Sequence, residues 1–224
     1  MKTLCLLAAG LLLLPHLSAQ KEWKLRKKID DLQVYARTPE EGKVQEIKVK
    51  CTVEATLSSI VAIINDVESA PAWVYACTEA RLLDQVSHTE AITYGKIEFP
   101  FPMQNRDFIT RTKLRQDQRT GEVTILMSNL PDYLPKTRKY IRIPKLAVQW
   151  QLRPLSANHV EIHYVMASDP GGNIPTWLIN KVIDKGPIQS MQAFKKLLQQ
   201  PKYQNVELSY IKDIPAVNDV IKTK

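Results

Sequence analysis

Ile47, Val49, Cys51 and Val53 alternate with Lys48, Lys50, Thr52 and Glu54. That period of two predicts a strand with one dry and one wet face. The period then lengthens: Leu57, Ile60, Val61, Ile64 and Val67 recur at helical spacing, and Ala70-Pro71-Ala72-Trp73-Val74 opens a second, short helix. Upstream, Trp23, Leu25, Ile29 and Leu32 stand among many charges, which predicts a first helix over 22–31. A short strand over 33–37 and a turn over 39–42 follow it. From Thr78 to Met166, β-branched and aromatic residues are broken by turn signals about every ten positions. This predicts antiparallel strands near 79–86, 90–98, 108–115, 122–128, 138–143, 146–153 and 159–167. Within that run Gly95, Pro100 and Pro102 predict bent or ending backbone.

The last periodic stretch is the longest. Asp169-Pro170-Gly171-Gly172 is turn chemistry, a fixed φ followed by two residues free to take positive φ. Asn173 is the candidate cap, Pro175 falls in the first turn, and Ile179, Ile183, Met191, Phe194 and Leu198 form an apolar stripe over a helix at 174–200. Lys181, Lys185, Lys195 and Lys196 lie mostly off that stripe. Gly186-Pro187 interrupts the helix; a proline there withholds one hydrogen bond and offers either a flexing point or a bend around the sheet. The element order predicts an α+β grip, a curved antiparallel sheet of about nine strands wrapped around the C-terminal helix. The greasy face of that helix either walls a ligand cavity or is plain core.

Of the 224 residues, the first nineteen carry Lys2, an apolar run over Leu4–Leu14 and the small-residue site Leu17-Ser18-Ala19. This is the pattern of a secretory signal, too short for a membrane span. Cys5 precedes the apolar run, so it is not placed as the modified cysteine of a lipoprotein. Residues 20–224 are then one soluble exported domain, periplasmic or extracellular, with no linker or repeat to divide it. Loss of Lys2 lowers the formal net charge by one from +8. A basic chain suits anionic lipid surfaces or nucleic acid, and an exported address sets nucleic acid aside. Lys136, Arg138, Lys139, Arg142 and Lys145 form a basic run that either docks transiently on anionic membrane or is a solvated face. Cys51 and Cys77 either pair or remain two buried thiols.

Arg106-Asp107 opens a strand after the Pro100–Asn105 loop. Its arginine either meets a polar headgroup or belongs to a structural ion pair. His159, Glu161 and His163 project from one face, a geometry that holds zinc, but Val160, Ile162, Tyr164 and Met166 are the set that wants burial, so the histidines point outward. No nucleophile elbow, phosphate-cradling loop, dinucleotide fingerprint or zincin helix occurs, and glycine totals seven.

Four phrases in order resemble the START family of the helix-grip superfamily: Asp31-Leu32-Gln33-Val34-Tyr35-Ala36-Arg37; Trp73-Val74 with Ala80-Arg81-Leu82-Leu83; Phe99-Pro100-Phe101-Pro102 through Asn105-Arg106-Asp107-Phe108; and Asp169-Pro170-Gly171-Gly172 through Asn180. The resemblance runs from about Trp23 to Tyr203 and looks most like exported, free-standing bacterial members. It implies a helix-grip fold enclosing a hydrophobic cavity, one lipid or sterol-like ligand bound and transferred, and the last helix as lid. It brings no catalytic residues, cofactor or metal, and the expected state is a monomer. The candidate ligand-binding residues are Trp73, Arg106, Met127, Trp177, Ile183, Met191, Phe194 and Leu198. Two other readings stand beside this one. A cyclase-like or hydrolase-like pocket enzyme predicts at least two titratable groups converging in the cavity; an interaction module predicts an exposed apolar patch and a filled core.

Overall fold

Lys24–Ile29 (β1) is a strand in the computed structural model, which describes residues 22–37 and 45–215. This corrects the helix predicted over 22–31; the export signal at 1–19 and the turn at 39–42 lie outside the described residues. Ile29 pairs with Leu32, so Asp30 and Asp31 make a two-residue hairpin turn, with Asp30 at φ +53°. Aspartate tolerates that left-handed conformation. β1 is an edge strand whose Lys24, Arg26, Lys27 and Lys28 face solvent, a charged border that resists pairing with other chains. Leu25, counted as part of a helical stripe, is 55% exposed.

The chain continues through β2 (Leu32–Arg37) and β3 (Gln45–Val53), whose residues alternate between buried and half-buried as the period of two requires. Helix α1 (Leu57–Asn65) starts where Thr56 accepts a hydrogen bond from the Ser59 amide at 3.1 Å, and it buries Ile60, Val61, Ile63 and Ile64. A 3-10 turn at Val67–Ala72 replaces the second short helix. Then come β4 (Cys77–Ser87), β5 (Glu90–Ile97), β6 (Arg106–Gln116), β7 (Val123–Asn129), β8 (Ile141–Arg142), β9 (Lys145–Ser156) and β10 (His159–Asp169). The strand predicted over 138–143 shrinks to two residues, paired parallel to the start of β6.

The sheet order is β1-β2-β3-β10-β9-β7-β6-β5-β4, with β8 beside β6. Nine strands thus form the continuous path, and the sheet is open, its edges at β1 and β4. Helix α2 (Thr176–Leu198) runs unbroken through Gly186-Pro187. Its N-cap position is Pro175, with no side-chain cap, so Asn173 does not cap it as its position predicts. Gly171 and Gly172 take φ +68° and +70°, as the turn chemistry requires. Beyond a 3-10 turn at Pro201–Tyr203 the chain buries Ile211, and Asp213 accepts from the Ser58 amide at 3.1 Å, holding the start of α1.

The main core joins β2, β3, β7, β9 and β10 to α1 and α2. A smaller cluster of Ile92, Tyr94 and Ile109, with Leu83, Leu130 and Leu134 against it, lies apart from that core. Cys51 and Cys77 are free thiols, both buried, and burial pushes the Cys51 thiol up to about 12.

Candidate functional site

A cavity of about 770 Å³ lies between the sheet and α2. Val49 from β3, Phe108 and Thr112 from β6, Met127 from β7, Val148 and Trp150 from β9 and Tyr164 from β10 wall it, while Ile183, Pro187 and Met191 close it from α2. Of the residues proposed from the sequence, Trp73, Met127, Ile183 and Met191 line this space together. Phe194 is fully buried but packs into the core, its ring 5.0 Å from Trp73 and 5.6 Å from Trp150. Leu198 also belongs to the core, and Trp177 is 61% exposed, outside the cavity lining.

Arg106 does not line the cavity either. It is 1% exposed, and its guanidinium donates to the carbonyls of Pro170 at 3.3 Å, Gly171 at 3.1 Å and Gln104. The Phe99 ring lies 3.9 Å from its charge. Arg106 therefore clips the turn ahead of α2 to the β5–β6 loop, and burial lowers its pKa. The ion pair belongs to its neighbour: Asp107 takes a bidentate bond from Arg142, at 2.8 and 3.0 Å, with both side chains almost fully buried. Arg142 is thereby removed from the surface basic run in which the sequence places it, while Lys136 pairs with Asp132 at 3.1 Å. Tyr94 donates to the same carboxylate at 3.3 Å, and burial, then that charge, push its phenol up to about 12.

The charged groups in the lining lie at its rim. Glu98, Lys181 and His88 are exposed, and half-buried Glu90 is 3.4 Å from Arg111 and 3.5 Å from Lys113. Deeper polar groups are uncharged: Thr93 and Thr110 share a hydrogen bond of 3.1 Å. Trp73, Trp150 and Tyr164 form an edge-to-face stack, with centroids 6.1 Å apart for the first pair and 4.8 Å for the second. Both indole N–H groups are buried with no acceptor among the described residues. Burial raises the Tyr164 pKa, so its proton stays on. A buried donor left unpaired costs about 1–3 kcal/mol. Nothing in the sequence pattern singles out Trp150 and Tyr164 as site residues; the alternation on β10 marks Tyr164 for burial, which does not tell a cavity wall from core.

Two glycines are shaped by aromatic neighbours. An added Cβ on Gly95 would come 2.3 Å from the Phe108 ring. On Gly186 it would come 3.2 Å from the Tyr75 ring, and the Tyr75 amide donates to Ser190 at 2.9 Å. Gly186 thus admits a close aromatic contact against α2. On β10, Glu161 pairs with Arg153 at 2.6 Å and approaches His163 at 3.2 Å, while His159 meets the Ser156 hydroxyl at 3.3 Å.

The family model described as START domain matches residues 7–204. The chain belongs to the START domain family. This START domain is 29% identical over 182 residues to an uncharacterised protein of Pseudomonas aeruginosa, a match covering 80% of this chain and 88% of that one. It is 24% identical over 172 residues to human phosphatidylcholine transfer protein, covering 75% and 79% of the two chains. Among solved structures, a STAR-related lipid transfer protein fragment from Xanthomonas axonopodis superposes with a TM-score of 0.72 at 29% identity, covering 80% of this chain and 99% of that one. No described helix of the START domain is long and apolar enough to cross a membrane. Phe101, in the loop that Arg106 holds, is 97% exposed.

Proposed function

We propose that this START domain takes one hydrophobic molecule into the cavity under α2 and carries it between membranes. The observation behind this reading is the cavity itself: about 770 Å³ left unfilled beneath a helix, walled by apolar side chains with charge only at the rim. Such a space stabilises a lipid by about 25 cal/mol for each Å² of apolar surface taken from water. The names of its relatives, a phosphatidylcholine transfer protein and a STAR-related lipid transfer protein, favour the same reading. α2 serves as the lid, released by movement of the turn that Arg106 clips. In this reading residues 1–19 are a cleaved export signal, and 20–224 act as one monomeric domain outside the cytoplasm. The test is native mass spectrometry after incubation with lipid vesicles. One lipid bound per chain is the expected result, and a chain that stays empty with every vesicle composition sinks the reading.

Phe101 and Trp177 are the membrane-touching residues in this proposal. Exposed aromatics next to a cavity entrance suit the lipid headgroup layer, and the surplus of positive charge suits an anionic surface. Phe101→Asp with Trp177→Asp is expected to slow lipid transfer between anionic vesicles roughly tenfold, about 1.4 kcal/mol. Binding of detergent-dispersed lipid should not change, since neither side chain lines the cavity. Unaltered transfer would place docking elsewhere.

A further inference from the structure

We infer that the cavity has a second mouth, at the end away from the α2 turn, and that the chain beyond α2 is a strap that closes it by stacking Tyr210 on His88. The place of this mouth rests on geometry alone. Its use, as the passage for a hydrocarbon tail, rests on the carrier reading.

Exposed side chains that also line the cavity mark where it reaches the surface, and they fall into two groups. Glu98, Pro100 and Lys181 stand near the turn that Arg106 clips. Asn65, Gln85 and His88 stand at the end of α1 and on the β4–β5 hairpin. β5 runs from one group to the other. It is 8 residues long, about 26 Å at 3.3 Å per residue. The cavity therefore opens at two opposite ends, and the start of α2 borders only the first.

Residues 205–215 lie past the family match, which ends at 204. Ile211 is buried, the Lys212 amide donates to Gln116 at 2.8 Å, and the Gln116 side chain returns a bond to the Lys212 carbonyl at 2.9 Å. Asp213 accepts from Ser58, so this segment is pinned to the end of β6 and the start of α1. Tyr210, just before the pins, lines the cavity. Its hydroxyl accepts from Asn65 at 3.0 Å, and its ring stacks on His88, with centroids 6.0 Å apart and planes 18° from parallel. Strap, helix and hairpin thereby meet across the second mouth.

One side of this closure is weak. Gln85 and Thr89 bond to Ser87 and Glu90, and among the described residues no hydrogen bond joins the hairpin tip to the strap. β4 is an edge strand, so the hairpin is held from one side only. The seam parts between Tyr210 and His88 while the pins keep the strap in place. Ile64, Ala91 and Leu114 line the cavity behind it, so the part of a ligand that passes there is its hydrocarbon tail.

The test uses the full chain with Thr112→Cys, which puts a thiol on the cavity wall. Labelling by a water-soluble maleimide, corrected for the buried Cys51 and Cys77, should quicken at least tenfold when His88→Ala or Tyr210→Ala is added. Tyr210→Phe keeps the ring and should label like the parent. His88 is exposed, so His88→Ala should leave the urea midpoint unchanged, which separates opening from unfolding. Carriage is followed with a pyrene-labelled acyl chain, offered in vesicles as phosphatidylcholine, as phosphatidylglycerol and as the free fatty acid. Pickup and release should both quicken at least fivefold in either Ala variant, leaving affinity unchanged. Unchanged labelling, unchanged carriage, or release that quickens without pickup overturns the inference and leaves the carrier reading standing. Faster labelling with none of the three probes carried by the parent supports the second mouth and overturns the carrier reading, and with it the mouth's use.

Discussion

Arg142→Met lowers the free energy of unfolding by about 3–5 kcal/mol, because it leaves the Asp107 carboxylate buried with no cation beside it. The loss reaches further than one pair. Arg142 also donates to the carbonyls of Pro131 at 2.6 Å and Leu134 at 3.1 Å, so its guanidinium fastens the β7–β8 loop. That loop brings Leu130 and Leu134 against Ile92, Tyr94 and Ile109. On the neighbouring residue, Arg106 grips the turn that feeds α2, and Ile141 packs against that same turn, near Gly171 and Gly172. Loosening β8 therefore loosens the lid, and lipid release is expected to speed up along with the fall in stability. Chemical denaturation measures the first effect and lipid exchange the second. Asp107→Leu combined with Arg142→Met removes both charges and should recover about half of the lost stability, since an apolar pair tolerates burial where a lone charge does not. A single variant as stable as the parent would show that the pair contributes little.

Much of this architecture is legible in local patterns, and the exceptions have physical causes. The alternation over β3 and the helical spacing of α1 each reflect one dry face in water, and both elements fall within a few residues of their expected ends. β1 fails because an edge strand with both faces wet carries no period-two signature, and four apolar residues among charges imitate a helix. Its true signal is Asp30-Asp31 at the hairpin turn. Arg142 reads as one of five surface bases because its partner Asp107 lies 35 positions away and pairing depends on the parallel contact of β8 with β6. The cavity residues divide in the same way. Periodicity puts Ile183, Met191, Phe194 and Leu198 on one stripe of α2, yet only the first two line the open space, because the core and the cavity share that stripe. What separates them is where Trp73, Trp150 and Tyr164 stand, on three elements that meet only in the folded chain.

Gly95→Ala should cut lipid affinity at least tenfold while the protein stays folded. The sequence marks Gly95 as a place where a strand bends, but it sits in unbroken pairing within β5, opposite Phe108 on β6. Its missing side chain makes room for a ring. An added Cβ would lie 2.3 Å from Cζ, 2.7 Å from Cε1 and 3.0 Å from Cε2 of Phe108, closer than atoms pack. The aromatic ring covers the glycine and restores contact that the strand would otherwise lack. A methyl group there forces the ring off the sheet, and Phe108 already lines the cavity, so the displaced ring enters the space meant for the ligand. Overpacking of this kind costs about 1–3 kcal/mol of stability, and the tenfold loss of affinity corresponds to about 1.4 kcal/mol. The two effects separate in a second variant. Phe108→Ala added to Gly95→Ala removes the intruding ring, so lipid affinity should return toward the parent value, although the strand pair loses its aromatic cover. If Gly95→Ala alone binds as the parent does, or if removing the ring restores nothing, Phe108 does not control the volume of the cavity.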